Sequence, residues 1–144
     1  MFSKEFITPQ KTNSEVVKQV LNTLINTIRR KTDEKHAILT VSSLIKKLEA
    51  EYDFLRYIEI NDTRLLATAD IVNVMPDIDA VSPKEVGKAL HIIVSIMSYS
   101  LGDKEGYFLI KELQLRIGSE YTSSIKAMDI DIELLLLEQK TRNI

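Results

Sequence analysis

Val17, Val20, Leu21, Leu24, Ile25 and Ile28 recur at i, i+3, i+4 and i+7, and no other feature constrains the fold as strongly. That spacing lays one apolar stripe along a helix, whereas a half-buried strand would alternate every second residue. A second segment, Val86 to Met97, is apolar almost all round, which predicts the central, most buried helix. Ser82, Pro83 and Glu85 mark its start, because serine can accept an orphan amide and proline suits the first helical position. Four glycines and three prolines in 144 residues are too few for the tight turns of a sandwich or barrel. The expected fold is all-α.

Sliding the chain by 69 residues lays Pro83 on Ser14 and continues without a gap to Leu135 on Leu66. Val17/Val86, Leu21/Leu90, Leu44/Leu113, Tyr52/Tyr121 and Leu65/Leu134 are among the identities, and Leu24/Ile93, Ile25/Val94, Val41/Ile110 keep the apolar pattern. Two similar amphipathic helix pairs in chance register would look alike; we read an ancient duplication. The predicted architecture is one domain of about six helices. It has a loose arm over residues 1–12, halves at 13–74 and 82–142, and a connection at 75–81 around Pro76.

In each half a capped first helix leads to a second, over Lys35–Tyr52 and Lys104–Ile117. Asn13-Ser14 is the expected first cap. "AILTVSS" is β-branched enough for a strand, but Ile38, Val41, Leu44, Ile45 and Leu48 follow the helical period. Gly118 is the expected stop of the later helix. Beyond it, 52–60 reads as extended and 119–128 as a short helix. Closing helices are expected over 61–74, capped by Asn61, and from Asp129 or Asp131 onward. The arm carries Phe2, Phe6 and Ile7, which could dock it.

Gly102-Asp-Lys-Glu-Gly106 looks at first like a ligand loop. Its counterpart Thr32–His36 contains no glycine, and neither G-x-x-x-x-G-K-[ST] nor G-x-G-x-x-G occurs, so it reads as a helix-to-helix corner. The absence of cysteine removes disulfides and thiolate chemistry and fits a reducing, cytoplasmic location. His36 and His91 lack partners at metal-ligand spacing. His91 reads as a core or edge histidine, and His36 as solvated. "DIDIE" (Asp129, Asp131, Glu133) lacks the glycine and twelfth-position glutamate of a calcium loop. No catalytic, cofactor-binding or metal-binding residue is expected, and the chain is not expected to be an enzyme.

Two surfaces remain. Arg29, Arg30, Lys31, Lys35, Lys46 and Lys47 place six cations around the first helix pair; their second-half counterparts are mostly neutral. They serve either as a solvated face that complements a helix end or as a patch for an acidic partner. A recognition helix rich in Arg, Asn and Gln is missing. Leu134–Leu137 point round most of a helix, so one face cannot bury all four. Leu134 and Leu135 match Leu65 and Leu66 and are expected inside, leaving Leu136 and Leu137 exposed for self-association or a partner. A net charge of −2 gives no general pull toward nucleic acid, and the apolar stretch Ala89–Leu101 is too short to span a bilayer.

Residues 82–118 carry Pro83, Val86, Ala89 and Leu90 on one helix, Gly102 at a turn, and Ile110 and Leu113 on the next. This grammar resembles small all-helical output domains of archaeal signal-transduction proteins. The resemblance implies a non-enzymatic signalling module. The expected function is therefore a regulatory module working through protein–protein contacts, without cofactor or membrane. A DNA-binding regulator using the Arg29–Lys47 face is the alternative.

Overall fold

The structure, a computed structural model, describes residues 11–61, 71–117 and 121–142. Six helices carry it: α1 (Asn13–Lys31), α2 (Glu34–Leu48), α3 (Pro83–Ser100), α4 (Asp103–Ile117), α5 (Thr122–Ala127) and α6 (Ile132–Arg142). Between α2 and α3 lie two short 3-10 turns, Asp53–Tyr57 and Pro76–Ala80, and two strands, β1 (Ile58–Ile60) and β2 (Val72–Val74). The strands pair antiparallel with Ile58 opposite Val74 and Ile60 opposite Val72. The all-α expectation holds.

The start of α1 lies one residue earlier than Asn13-Ser14 suggests. Thr12 Oγ1 accepts the Glu15 N–H at 3.3 Å, and Glu15 Oε1 accepts the Thr12 N–H at 3.2 Å. This reciprocal capping box satisfies two donors that would otherwise be orphaned. These bonds to Thr12, the backbone one foremost, hold the Glu15 carboxyl below its usual range. Asn13 turns inward instead. Its Nδ2 donates to the carbonyls of Ile78 (3.0 Å) and Val81 (2.8 Å), while Asp79 accepts from the Ser14 N–H at 2.7 Å. The 75–81 connection is thus bound to the first helix rather than strung between halves.

Of the arm expected over 1–12, residues 11 and 12 are tied to the fold. The Lys11 N–H donates to Ser124 Oγ at 2.7 Å, and that hydroxyl donates back to the Lys11 carbonyl at 3.2 Å. Phe2, Phe6 and Ile7 lie outside the described residues, as does Gly118. Of the helix expected over 61–74, residues 62–70 also lie outside, but Val72–Val74 is a strand. There β-branched residues alternate, with Val72 buried and Asn73 exposed. At the start of α3, Ser82 makes no side-chain cap bond, and Pro83 with Glu85 favours the first turn.

One contiguous apolar cluster includes Leu21, Leu24, Ile28, Leu90, Ile93, Leu109, Ile110 and Leu113. Each such leucine or isoleucine contributes about 1.5–3 kcal/mol by leaving water. The central helix is α1, not α3: α1 packs against α2, α3, α4 and β2, while α3 exposes Ile96 and Tyr99. The seam between the two helix pairs is correspondingly α1 on α4. Packing between α2 and α3 is slight.

The corner between α3 and α4 is only Leu101-Gly102, with Gly102 at φ 90°. Gly106 belongs to α4 and is buried. A Cβ there would stand 2.1 Å from the Ser98 carbonyl oxygen, so the helices cross closely only because it is glycine. The segment is a helix corner, as expected, but shorter.

Candidate interaction surface

Sequence reasoning groups Arg29, Arg30, Lys31, Lys35, Lys46 and Lys47 on one face; the structure splits them. The C-terminal turn of α1 is spent on neighbouring carboxylates. Arg29 lies 3.4 Å from Glu34 across the corner, Arg30 Nη2 lies 2.8 Å from Glu112 Oε1, and Lys31 Nζ lies 2.8 Å from Glu105 Oε1. Arg116 Nε approaches the other Glu112 oxygen at 3.8 Å. The hydrogen bond from Arg30, then the charges of Arg30 and Arg116, hold the Glu112 carboxyl below its usual range. Lys35, Lys46 and Lys47 are exposed on α2, with no ion pair among the described residues. Eleven residues of helix put Lys46 about 16 Å along the axis from Lys35. Six cations become three ion pairs, two of them clamps from α1 to α4, and a spaced row.

The clamps border a groove of about 530 Å³ between the end of α1 and the outer face of α4. Phe108 and Leu115 floor it, 53% and 77% exposed, and Lys104 and Lys111 flank them. These four residues follow helical spacing on α4, opposite the stripe of Ile110, Leu113 and Ile117. The signal in the sequence was there: Phe108 and Leu115 are large apolar residues off the buried stripe of an amphipathic helix, seven apart. Counting rim charges, Arg30, Lys31, Lys104 and Lys111 face Glu105 and Glu112, four positive against two negative.

The leucine run on α6 is set by Asp131 and Gln139. Asp131 Oδ1 accepts the Leu134 N–H at 3.0 Å and caps the helix, as one of the two expected caps. Gln139, buried, donates Nε2 to the carbonyls of Gly102 and Asp103, both at 3.2 Å. With Gln139 turned inward, the residues three and four positions before it turn inward too. Leu135 and Leu136 are therefore buried, and Leu134 and Leu137 are 43% and 60% exposed. Leu136 as a surface residue is corrected, and so is Leu134 as a core residue. The expectation for Leu135 and Leu137 holds.

The exposed leucines form a ridge with Glu133 on one side and Glu138 on the other. His91 Nε2 lies 3.5 Å from Glu138 Oε1, an edge position matching the sequence reading. Glu133 and Leu137 share with Tyr107 and Lys111 a depression of about 380 Å³ between α6 and α4. Lys111 therefore borders both features: basic groove on one flank, acidic ridge on the other.

A further hollow of about 600 Å³ lies among the end of α4, α5 and the start of α6. Ile117, Ile125, Ile130 and Ile132 line it, with Asp129, Asp131 and Glu133 at its edge. Asp131 is occupied as the cap of α6. Among the described residues no three acidic, histidine or cysteine side chains gather closely enough to hold a metal ion, and no helix is long and apolar enough to cross a membrane.

No protein-family model matches the chain, and neither a curated protein nor a solved structure shows significant similarity to it. The surface has to be read from its own chemistry.

Proposed function

We propose that this chain is a non-catalytic interaction module of a regulatory, signalling kind, working through the α1–α4 groove and the α6 ridge. One observation carries the reading: Phe108 and Leu115 stand exposed in register on α4, inside a charged rim. Single exposed apolar residues are ordinary. Two at one helical stripe, lining a groove whose rim holds four cations and two carboxylates, have the geometry that receives an amphipathic helix. The likeness of residues 82–118 to archaeal output domains points the same way. DNA binding through Arg29–Lys47 is less well supported, because Arg29, Arg30 and Lys31 are already engaged with carboxylates.

The test compares the parent with a Phe108→Glu, Leu115→Glu variant as bait, alongside gel retardation of duplex DNA at low salt. We expect a protein retained by the parent and lost with the variant, and no DNA shift. A DNA shift that fades steeply with salt, and vanishes when Lys35, Lys46 and Lys47 become glutamate, would replace this reading with the nucleic-acid one.

A further inference from the structure

We infer that the occupant of the α1–α4 groove is the α6 ridge of a second copy of this chain. The inference rests on the interaction-module reading above and adds to it the partner. Three observations lead there. The groove presents apolar Phe108 and Leu115 within a rim that is net positive. The first two turns of α6 carry Glu133 and Glu138 and no cation, with Asp129 and Asp131 before them and Lys140 and Arg142 only in the last turn, while exposing Leu134 and Leu137. One surface is thus the chemical complement of the other, apolar to apolar and cation to carboxylate.

The third observation is adjacency. Ridge and groove lie on opposite flanks of Lys111, which borders both depressions. A ridge that finds the groove of a partner therefore brings its own groove beside the ridge of that partner. Two equivalent contacts close on one another, which is the arrangement of a two-fold dimer. A head-to-tail chain of copies would use only one contact per partner and gains nothing from the adjacency. Glu133 and Glu138 meet Lys104 and Lys111 twice over, and four leucines cover two Phe108–Leu115 pairs. Rim charge pairs of this type set partner choice and association rate, while the covered apolar side chains supply most of the affinity.

The experiment uses the full chain in sedimentation equilibrium over a roughly hundredfold range of concentration, at low and high salt. The parent should move from one to two chain masses as concentration rises, at lower concentration in low salt. Lys104→Glu, Lys111→Glu should stay at one chain mass, because its groove now repels its own ridge. Glu133→Lys, Glu138→Lys should stay at one mass for the converse reason. Mixed together, the two variants should restore the two-chain species, since each altered surface meets an opposite charge and each unaltered surface meets its natural complement.

That recovery cannot come from misfolded variants. A parent that stays at one mass throughout, variants that self-associate like the parent, or a mixture that does not recover would each overturn the self-docking. In none of those cases does the interaction reading fall with it: loss of a captured protein by the Phe108→Glu, Leu115→Glu variant is scored independently of chain mass.

Discussion

The α1–α2 pair and the α3–α4 pair obey one ruler and live in different surroundings. An offset of 69 lays Glu34–Leu48 on Asp103–Ile117 residue for residue, and buries Val17/Val86, Leu21/Leu90 and Ile28/Met97 alike. Beyond the pairs the described residues differ: β1 and β2 pair with each other after the first, and α5 and α6 follow the second. In consequence α4 is enclosed by α1, α3 and α6, whereas α2 leans mainly on α1. The same apolar spacing can therefore specify identical helices without specifying how tightly they are held. The third partner decides that.

Equivalent positions should accordingly respond unequally. The largest contrast is expected at Leu113, 1% exposed, and Leu44, only half-buried at the matching place. Leu113→Glu forces a charge among apolar neighbours, a cost of more than about 4 kcal/mol. It should abolish the cooperative thermal transition followed by circular dichroism; Leu44→Glu should keep one. Equal loss in both would show that α2 is as enclosed as α4.

A middle-sized contrast is expected where Gly106 stands opposite Ala37. Gly106→Ala drives a methyl into the Ser98 carbonyl and should cost about 2–3 kcal/mol in urea unfolding. Ala37→Gly removes a methyl and weakens a helix by about 1 kcal/mol. If Gly106→Ala instead stabilised the protein, the close α3–α4 crossing described here would be wrong.

The smallest effect concerns acid. Glu112 ties α4 to α1, and its counterpart in α2 is Ser43, so α4 brings a labile carboxylate to the seam where α2 has a neutral residue. Its folded pKa lies below the usual 4.5, so its contribution is complete above that pH and is lost as pH falls through the folded value. Glu112→Gln should be slightly less stable than the parent at neutral pH, and the gap should close on acidification. A gap independent of pH would mean that the carboxylate charge adds nothing.

The helices were legible because their stripes are long and regular: all six were expected, with boundaries off by a few residues. What the spacing could not carry was long-range. The inward turn of Asn13 depends on the carbonyls of Ile78 and Val81, and the strand at Val72–Val74 depends on its pairing with Ile58–Ile60. The leucine run was misassigned for the same reason. Four consecutive leucines give no phase of their own, and the phase of α6 comes from Gln139 reaching the corner at Gly102. On the surface, the cations were identified and their carboxylate partners were not, because Glu105 and Glu112 sit more than seventy residues beyond Arg30 and Lys31 in sequence. Phe108 and Leu115 are legible as misfits on their helix, large and apolar off its buried stripe, but less conspicuous than four leucines in a row.

The first helix packs on its neighbour α2, but its polar ties come mostly from far along the chain. Lys11 is held by Ser124, Gln19 donates to the carbonyl of Arg116, and Arg30 binds Glu112, spans of 113, 97 and 82 residues. These ties cross most of the chain, whereas α1–α2 and α3–α4 pack as sequence neighbours. Their closure entropy has to be met before those contacts form. Part of the cost of ordering this molecule is therefore the return of its tail to its head.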